Sequence, residues 1–195
     1  MKVQASSIAL SDFSGEGLAI GLFEDQVELT GDLAAIDAKL SGLVQEVIAE
    51  SEFKGKTSNS ITLRVAGCGF KKLLLLGLGK ASDFNLETLR RSAGKLAKTA
   101  RRERCKTLGI ALPIYQSDAA ATAQAITEGL ELALYKDRRF KSDKDETTEI
   151  EAIHLLGLAG QEAAIATAQT IASGVFLARE LVAAPANVVT PITMA

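Results

Sequence analysis

The run "KKLLLLGLG", residues 71 to 79, limits the possible folds more than any other stretch of this chain. Its apolar side chains fall on successive residues instead of alternating, so a strand made from it needs both faces covered. Helices above and below a sheet supply that cover, which predicts a layered α/β domain with this strand at its centre. The chain has 195 residues and is 47% hydrophobic, enough to build such a core within one large domain or two small ones.

The remaining pattern agrees. Short apolar segments predict strands over 3–8, 18–23, 61–65, 72–76, 107–111 and 150–156. Between them run segments of helical period. Leu33, Ile36, Leu40, Leu43, Val44, Val47 and Ile48 recur at spacings of three and four and predict one helix from about Asp32 to Glu50. A second helix opens after Asn85, a good cap residue, and turns Leu86, Leu89, Ala93, Leu96, Ala97 and Ala100 inward. A third follows Ser117 or Asp118, and a fourth spans about Gln161 to Val182. The charge-dense stretch "KDRRFKSDKDETTE" reads as an exposed loop. "PANVVTP", bracketed by Pro185 and Pro191, reads as an extended connector leaving the domain. Thr190 and Pro191 then form the hydroxyl cap and first-turn proline of a helix that has only begun at Ala195.

Charge excludes some partners. Lys and Arg number 22 against 24 Asp and Glu, a formal net charge of -2, so the chain as a whole is no polyanion binder. The longest apolar run is too short to cross a bilayer, and no membrane role is indicated. Cys68 and Cys105 are two thiols in different elements of a chain without a secretion signal, which points to free cysteines in a reducing, cytoplasmic compartment.

Four features carry both a chemical reading and a plainer one. "GLGK" at 77–80 follows a strand and its backbone N–H groups suit a phosphate, but it lacks the P-loop spacing and reads first as a strand-to-loop turn. "AGCGF" at 66–70 suits a hairpin turn in which Gly67 and Gly69 take positive φ. Arg91, Lys95, Lys98 and Arg102, widened by Arg90, Arg101, Arg104 and Lys106, form a basic helix stripe that reads as a solvated face ahead of a phosphate contact. His154, the single histidine, sits mid-strand and reads as structural. One His and two separated Cys cannot build a tetrahedral zinc site, and no Asp/Glu cluster stands at ligand spacing. On residues alone, no catalytic, cofactor-binding or metal-binding residue is assigned.

The segment "GVFLARELVAAPANVVTP", residues 174 to 191, resembles the junction between the two domains of leucyl aminopeptidases of the M17 metallopeptidase family. The family pattern is matched at Leu177, Ala178, Arg179, Leu181, Val182, Pro185, Asn187, Thr190 and Pro191, while Glu180 stands for its usual Asp and Ala183 for its usual Asn. "EGLELALYKDRRFKSD" and "KLLLLGLGK" resemble two further family stretches. The resemblance implies a three-layer αβα, macro-domain-like fold with a mostly parallel or mixed sheet of about six strands over 1–182, and a linker over 183–195 that begins a catalytic domain. It also implies a cytosolic parent enzyme that removes N-terminal residues from peptide substrates with two divalent metals, manganese or zinc, held in that second domain. No catalytic or metal residue is carried over to this chain. The partners implied are the chain's own C-terminal domain and the other subunits of a homo-hexamer, with a role for this domain in assembly and access control. The rival is a stand-alone macro-like module that binds a nucleotide of the ADP-ribose type through "GLGK"; nucleic acid is the less favoured partner.

Overall fold

The computed structural model describes residues 1–24, 27, 29–137, 139, 148–185, 188 and 190. Six strands, β1 (Lys2–Ser6), β2 (Gly15–Phe23), β3 (Ser60–Arg64), β4 (Phe70–Gly79), β5 (Thr107–Ala111) and β6 (Ala152–Leu156), form one sheet in the order β1-β6-β5-β2-β4-β3. All neighbours are parallel except β3, which pairs antiparallel with β4 at the edge. Among the described residues five α-helices accompany them: α1 (Gly31–Lys39), α2 (Leu43–Glu50), α3 (Leu86–Arg102), α4 (Ala119–Leu134) and α5 (Glu162–Ala183).

The sheet is covered on both faces, as the apolar run requires. Along β4, Leu73 and Leu75 enter the core beneath α1 and α2, with Leu33, Ile36 and Val44. Leu74, Leu76 and Leu78 enter the opposite core beneath α3 and α4, with Leu89, Leu96 and Ile126. Alternation of side chains along a strand sends neighbours to opposite faces, so an unbroken apolar run fits only where both faces are dry. β4 runs to ten residues, longer than the 72–76 expected, because Gly77 continues the ladder by donating its N–H to the carbonyl of Asn59.

The helix expected over 32–50 is two helices. Ser41 and Gly42 take φ of 57° and 84°, and the Gly42 N–H closes on the carbonyl of Asp37, a glycine-type helix end. The buried Asp37 carboxylate then accepts from the N–H groups of Val44 (2.8 Å) and Gln45 (3.3 Å) and caps α2. The apolar stripe nevertheless faces one core, since both helices lie on the same side. At the other helix starts local chemistry suffices: Asn85 accepts from the Thr88 N–H at 2.9 Å and Asp118 from the Ala121 N–H at 2.8 Å.

The turn at 66–70 joins β3 to β4 as expected, but only Gly67 has positive φ, at 85°. Gly69 serves close approach instead: a Cβ there would lie 2.5 Å from the carbonyl oxygen of Phe13. Most of the charge-dense stretch after α4, and most of the connector with the helix start at Pro191, lie outside the described residues. No helix among the described residues is long and apolar enough to cross a membrane.

Candidate functional site

The stretches singled out in the sequence converge in pairs. Glu128 and Gly129, opening "EGLELALYKD", lie on α4 against Arg90 of α3. The Arg90 Nε donates to Glu128 Oε2 at 2.6 Å, and Gln124 donates to Oε1 at 2.9 Å. Burial alone would push the Glu128 carboxyl up, but these two hydrogen bonds and the guanidinium charge hold it below the usual glutamate range.

At the other end of the same stretch, Tyr135 stacks on Phe176 of α5, with ring centroids 4.6 Å apart and planes 20° apart. The Arg179 guanidinium stands over the Tyr135 ring at 5.5 Å and donates to the carbonyl of Leu132 in the last turn of α4, at 3.3 Å. Arg139, from the segment after α4, makes the reciprocal contact: it donates to the carbonyl of Glu180 in the last turn of α5 at 2.8 Å while also holding Asp137 at 2.8 Å. Arg179 thus places a positive charge at the carbonyl end of α4 and Arg139 one at the carbonyl end of α5, where the helix dipole favours it. Arg179 belongs to the junction motif and Tyr135 to "EGLELALYKD", so two segments separated in sequence lock the ends of α4 and α5 together.

Beside this clamp opens a cleft of about 610 Å³, lined among the described residues by Arg101, Glu131, Tyr135, Arg139, Phe176 and Glu180 with others. Burial raises the affinity of the Glu131 carboxyl for its proton, partly offset by the Gln169 hydrogen bond and the N-terminal ammonium. The Tyr135 hydroxyl is enclosed and has no hydrogen-bond partner among the described residues. Among the described residues its lining joins carboxylates to guanidiniums and includes no Ser, Cys or His to act as a nucleophile or its base.

The remaining candidates have structural roles. Gly77 and Gly79 donate their N–H groups to the carbonyls of Asn59 (2.8 Å) and Gly55 (2.9 Å), so these two N–H groups are not available to a phosphate. A Cβ on Gly77 would lie 2.1 Å from the carbonyl oxygen of Lys56, and the glycine is there for that backbone contact. On the basic stripe, Arg91 pairs with Glu87 at 2.8 Å, Arg102 lies 3.9 Å from Glu103, and the Lys95 ammonium donates to the carbonyl of Ser58. Lys98 is exposed. The Gln4 amide nitrogen, opposite His154 in the β1/β6 register, lies 2.9 Å from its Nδ1 and 3.2 Å from its Nε2, and the imidazole meets the Phe13 ring edge-on at 5.6 Å. Burial and the charge of Lys2 hold the imidazole below its ordinary pKa. Cys105 is buried, Cys68 half-buried, and both are free thiols. Among the described residues, no group of three or more His, Cys, Asp or Glu side chains gathers as a metal ion requires.

What the sequence did not expose is an uncovered face on α5. Its fully buried residues, Ile165, Ala168 and Ala172, all lie in the first half of the helix. From Ile171 onward, Leu177 is 59% and Val182 88% exposed, and Ile171 and Leu181 are exposed as well. The junction motif was legible in this stretch, but its apolar residues gave no sign of which core they belong to.

Residues 19–144 match the model of the cytosol aminopeptidase family, N-terminal domain. Over its full length the chain is 55% identical to a probable cytosol aminopeptidase of Nostoc punctiforme and 53% identical to one of a Cyanothece species. It spans about 40% of the length of each of these curated relatives. Among solved structures, a tomato leucine aminopeptidase mutant superposes on the whole chain with a TM-score of 0.88 at 30% identity, the chain covering 40% of that protein. A bottromycin maturation enzyme in complex with Mn shares the fold, with a TM-score of 0.69 at 22% identity over 93% of this chain and 34% of its own. The chain belongs to the cytosol aminopeptidase family, as its N-terminal domain.

Proposed function

We propose that this chain is the non-catalytic N-terminal part of a cytoplasmic aminopeptidase, with residues 1–182 as the domain and 183–195 as the link to the catalytic part. The observation that carries this reading is the match of the whole chain to 40% of the length of relatives described as probable cytosol aminopeptidases. The parent enzyme removes N-terminal residues from peptides, using two divalent metals, manganese or zinc, that polarise the scissile carbonyl and activate water. In this reading the metal ligands and the chemistry lie in the roughly three-fifths of the relatives' length that this chain does not span. This domain contributes shape and contacts within a homo-hexamer, supporting assembly and limiting which peptides enter.

The test compares two proteins. The polypeptide extended through the region its relatives carry should release leucine from a leucine anilide and lose that activity to a chelator. The 195-residue chain, supplied with manganese or zinc, should not. Chelator-sensitive turnover by the pure 195-residue chain would overturn the reading.

A further inference from the structure

We propose that the exposed apolar face of α5 from Ile171 onward is the seat of the region that follows this chain in the same polypeptide. Ile171, Gly174, Ala178 and Leu181, with Val182 beside it, recur at spacings of three and four and share one side of the helix. A different side packs on this domain, through the buried Ala168 and Ala172 and through Phe176 stacked on Tyr135. Between Ile171 and Val182 the only charged residues are Arg179 and Glu180, and both are engaged toward α4 and Arg139. The free side therefore carries no charge at all, which is unusual for a helix that stays in water.

The position of the face selects its occupant. Large apolar side chains stay exposed up to the helix end from which the chain continues, and Val182, the most exposed, is one residue from that end at Ala183. The relatives carry about three-fifths of their length outside the matched region. A domain tethered a few residues away meets this face at a high effective concentration that a free partner or a second copy must match from solution. Gly174 and Ala178 leave room for the backbone of the partner to come close, since a Cβ on Gly174 meets nothing within 4 Å. The two arginine contacts at the ends of α4 and α5 hold the helix end in place, so the face is presented in one direction.

The inference rests on the chain being part of a longer enzyme, and its test separates the two. Ala178→Cys in a Cys68→Ser background is treated with a maleimide in the 195-residue chain and in the extended polypeptide. Labelling at least ten-fold slower in the extended protein is expected. Equal rates overturn the docking, as does slow labelling of the 195-residue chain itself when sedimentation shows it to be a dimer. Hydrogen exchange of the unsubstituted proteins repeats the comparison without a variant: amides of residues 174–182 should gain protection in the extended protein, and unchanged exchange overturns the proposal. Leucine anilide hydrolysis by the same extended protein reports on the enzyme reading alone. Turnover without protection sinks only the docking, and protection without turnover sinks only the activity.

Discussion

Gly129 sits so close to Arg90 that a Cβ built on it would lie 2.2 Å from the Arg90 carbonyl oxygen. α3 and α4 cross at this point, with Gly94 facing Gly129 from the other helix. Because the obstacle is backbone, it cannot swing aside as a side chain would. Gly129→Ala gains about 1 kcal/mol of helix propensity. Overpacking costs about 1–3 kcal/mol and reaches beyond that range where backbone must move. The crossing term wins, and a net loss of about 2 kcal/mol should appear as a lower denaturant midpoint with an unchanged m-value. Gly94→Ala, whose nearest neighbour is the Ala133 Cβ at 3.1 Å, should lose less.

Arg90 also anchors Glu128, a residue only 8% exposed. Arg90→Ala leaves that carboxylate buried with Gln124 alone and should destabilise the domain by about 1–3 kcal/mol in chemical denaturation. The wild-type pairing lowers the folded pKa of Glu128 beneath its ordinary value of 4.5. Its contribution is therefore complete above pH 4.5 and is lost as pH falls through the folded value. Glu128→Gln should flatten the acid limb of the stability curve, and an unaltered acid limb would contradict the assignment.

His154 works at a higher pH. Its folded pKa lies below the ordinary 6.5, so as pH falls from 7 the unfolded chain takes the proton first. Stability is lost between pH 6.5 and the folded pKa and levels off beneath it. His154→Gln should remove that slope, and the imidazole of the native protein should titrate below 6.5 by NMR.

The junction between α1 and α2 depends on Gly42 in the left-handed region at φ 84°. Gly42→Ala should cost about 1 kcal/mol, since a Cβ is disfavoured there even though nothing lies within 4 Å of it. Asp37→Ala should cost a similar amount, about 1 kcal/mol, because α2 loses its cap while α1 does not. Thermal unfolding of both variants measures this directly.

Much of the fold was legible because its signals are local. The unbroken apolar run of β4 demanded cover on both faces, and the strand at 107–111 appears at the expected residues. Asn85 and Asp118 cap α3 and α4 with side chains that reach only three residues ahead. The same logic failed at residues 41 and 42. The apolar stripe of α1 and α2 keeps its helical spacing through a break, and a stripe cannot report a change of φ. Gly69 misled for a related reason: glycine allows positive φ but is also used where another backbone comes close, and only the position of Phe13 tells the two apart.

By itself, the sequence determined the class of the fold, the helix starts set by short-range hydrogen bonds, and the family, whose motif residues stand in order along the chain. Tertiary structure alone decided what those motif residues do. Glu128 and Arg90 are 38 positions apart, and Arg179 reaches a carbonyl 47 positions away, so their roles depend on how α3, α4 and α5 cross. It also decided which apolar residues of α5 stay uncovered. Hydrophobicity records that a side chain should leave water, and only the packed neighbours show whether this domain provides the place for it.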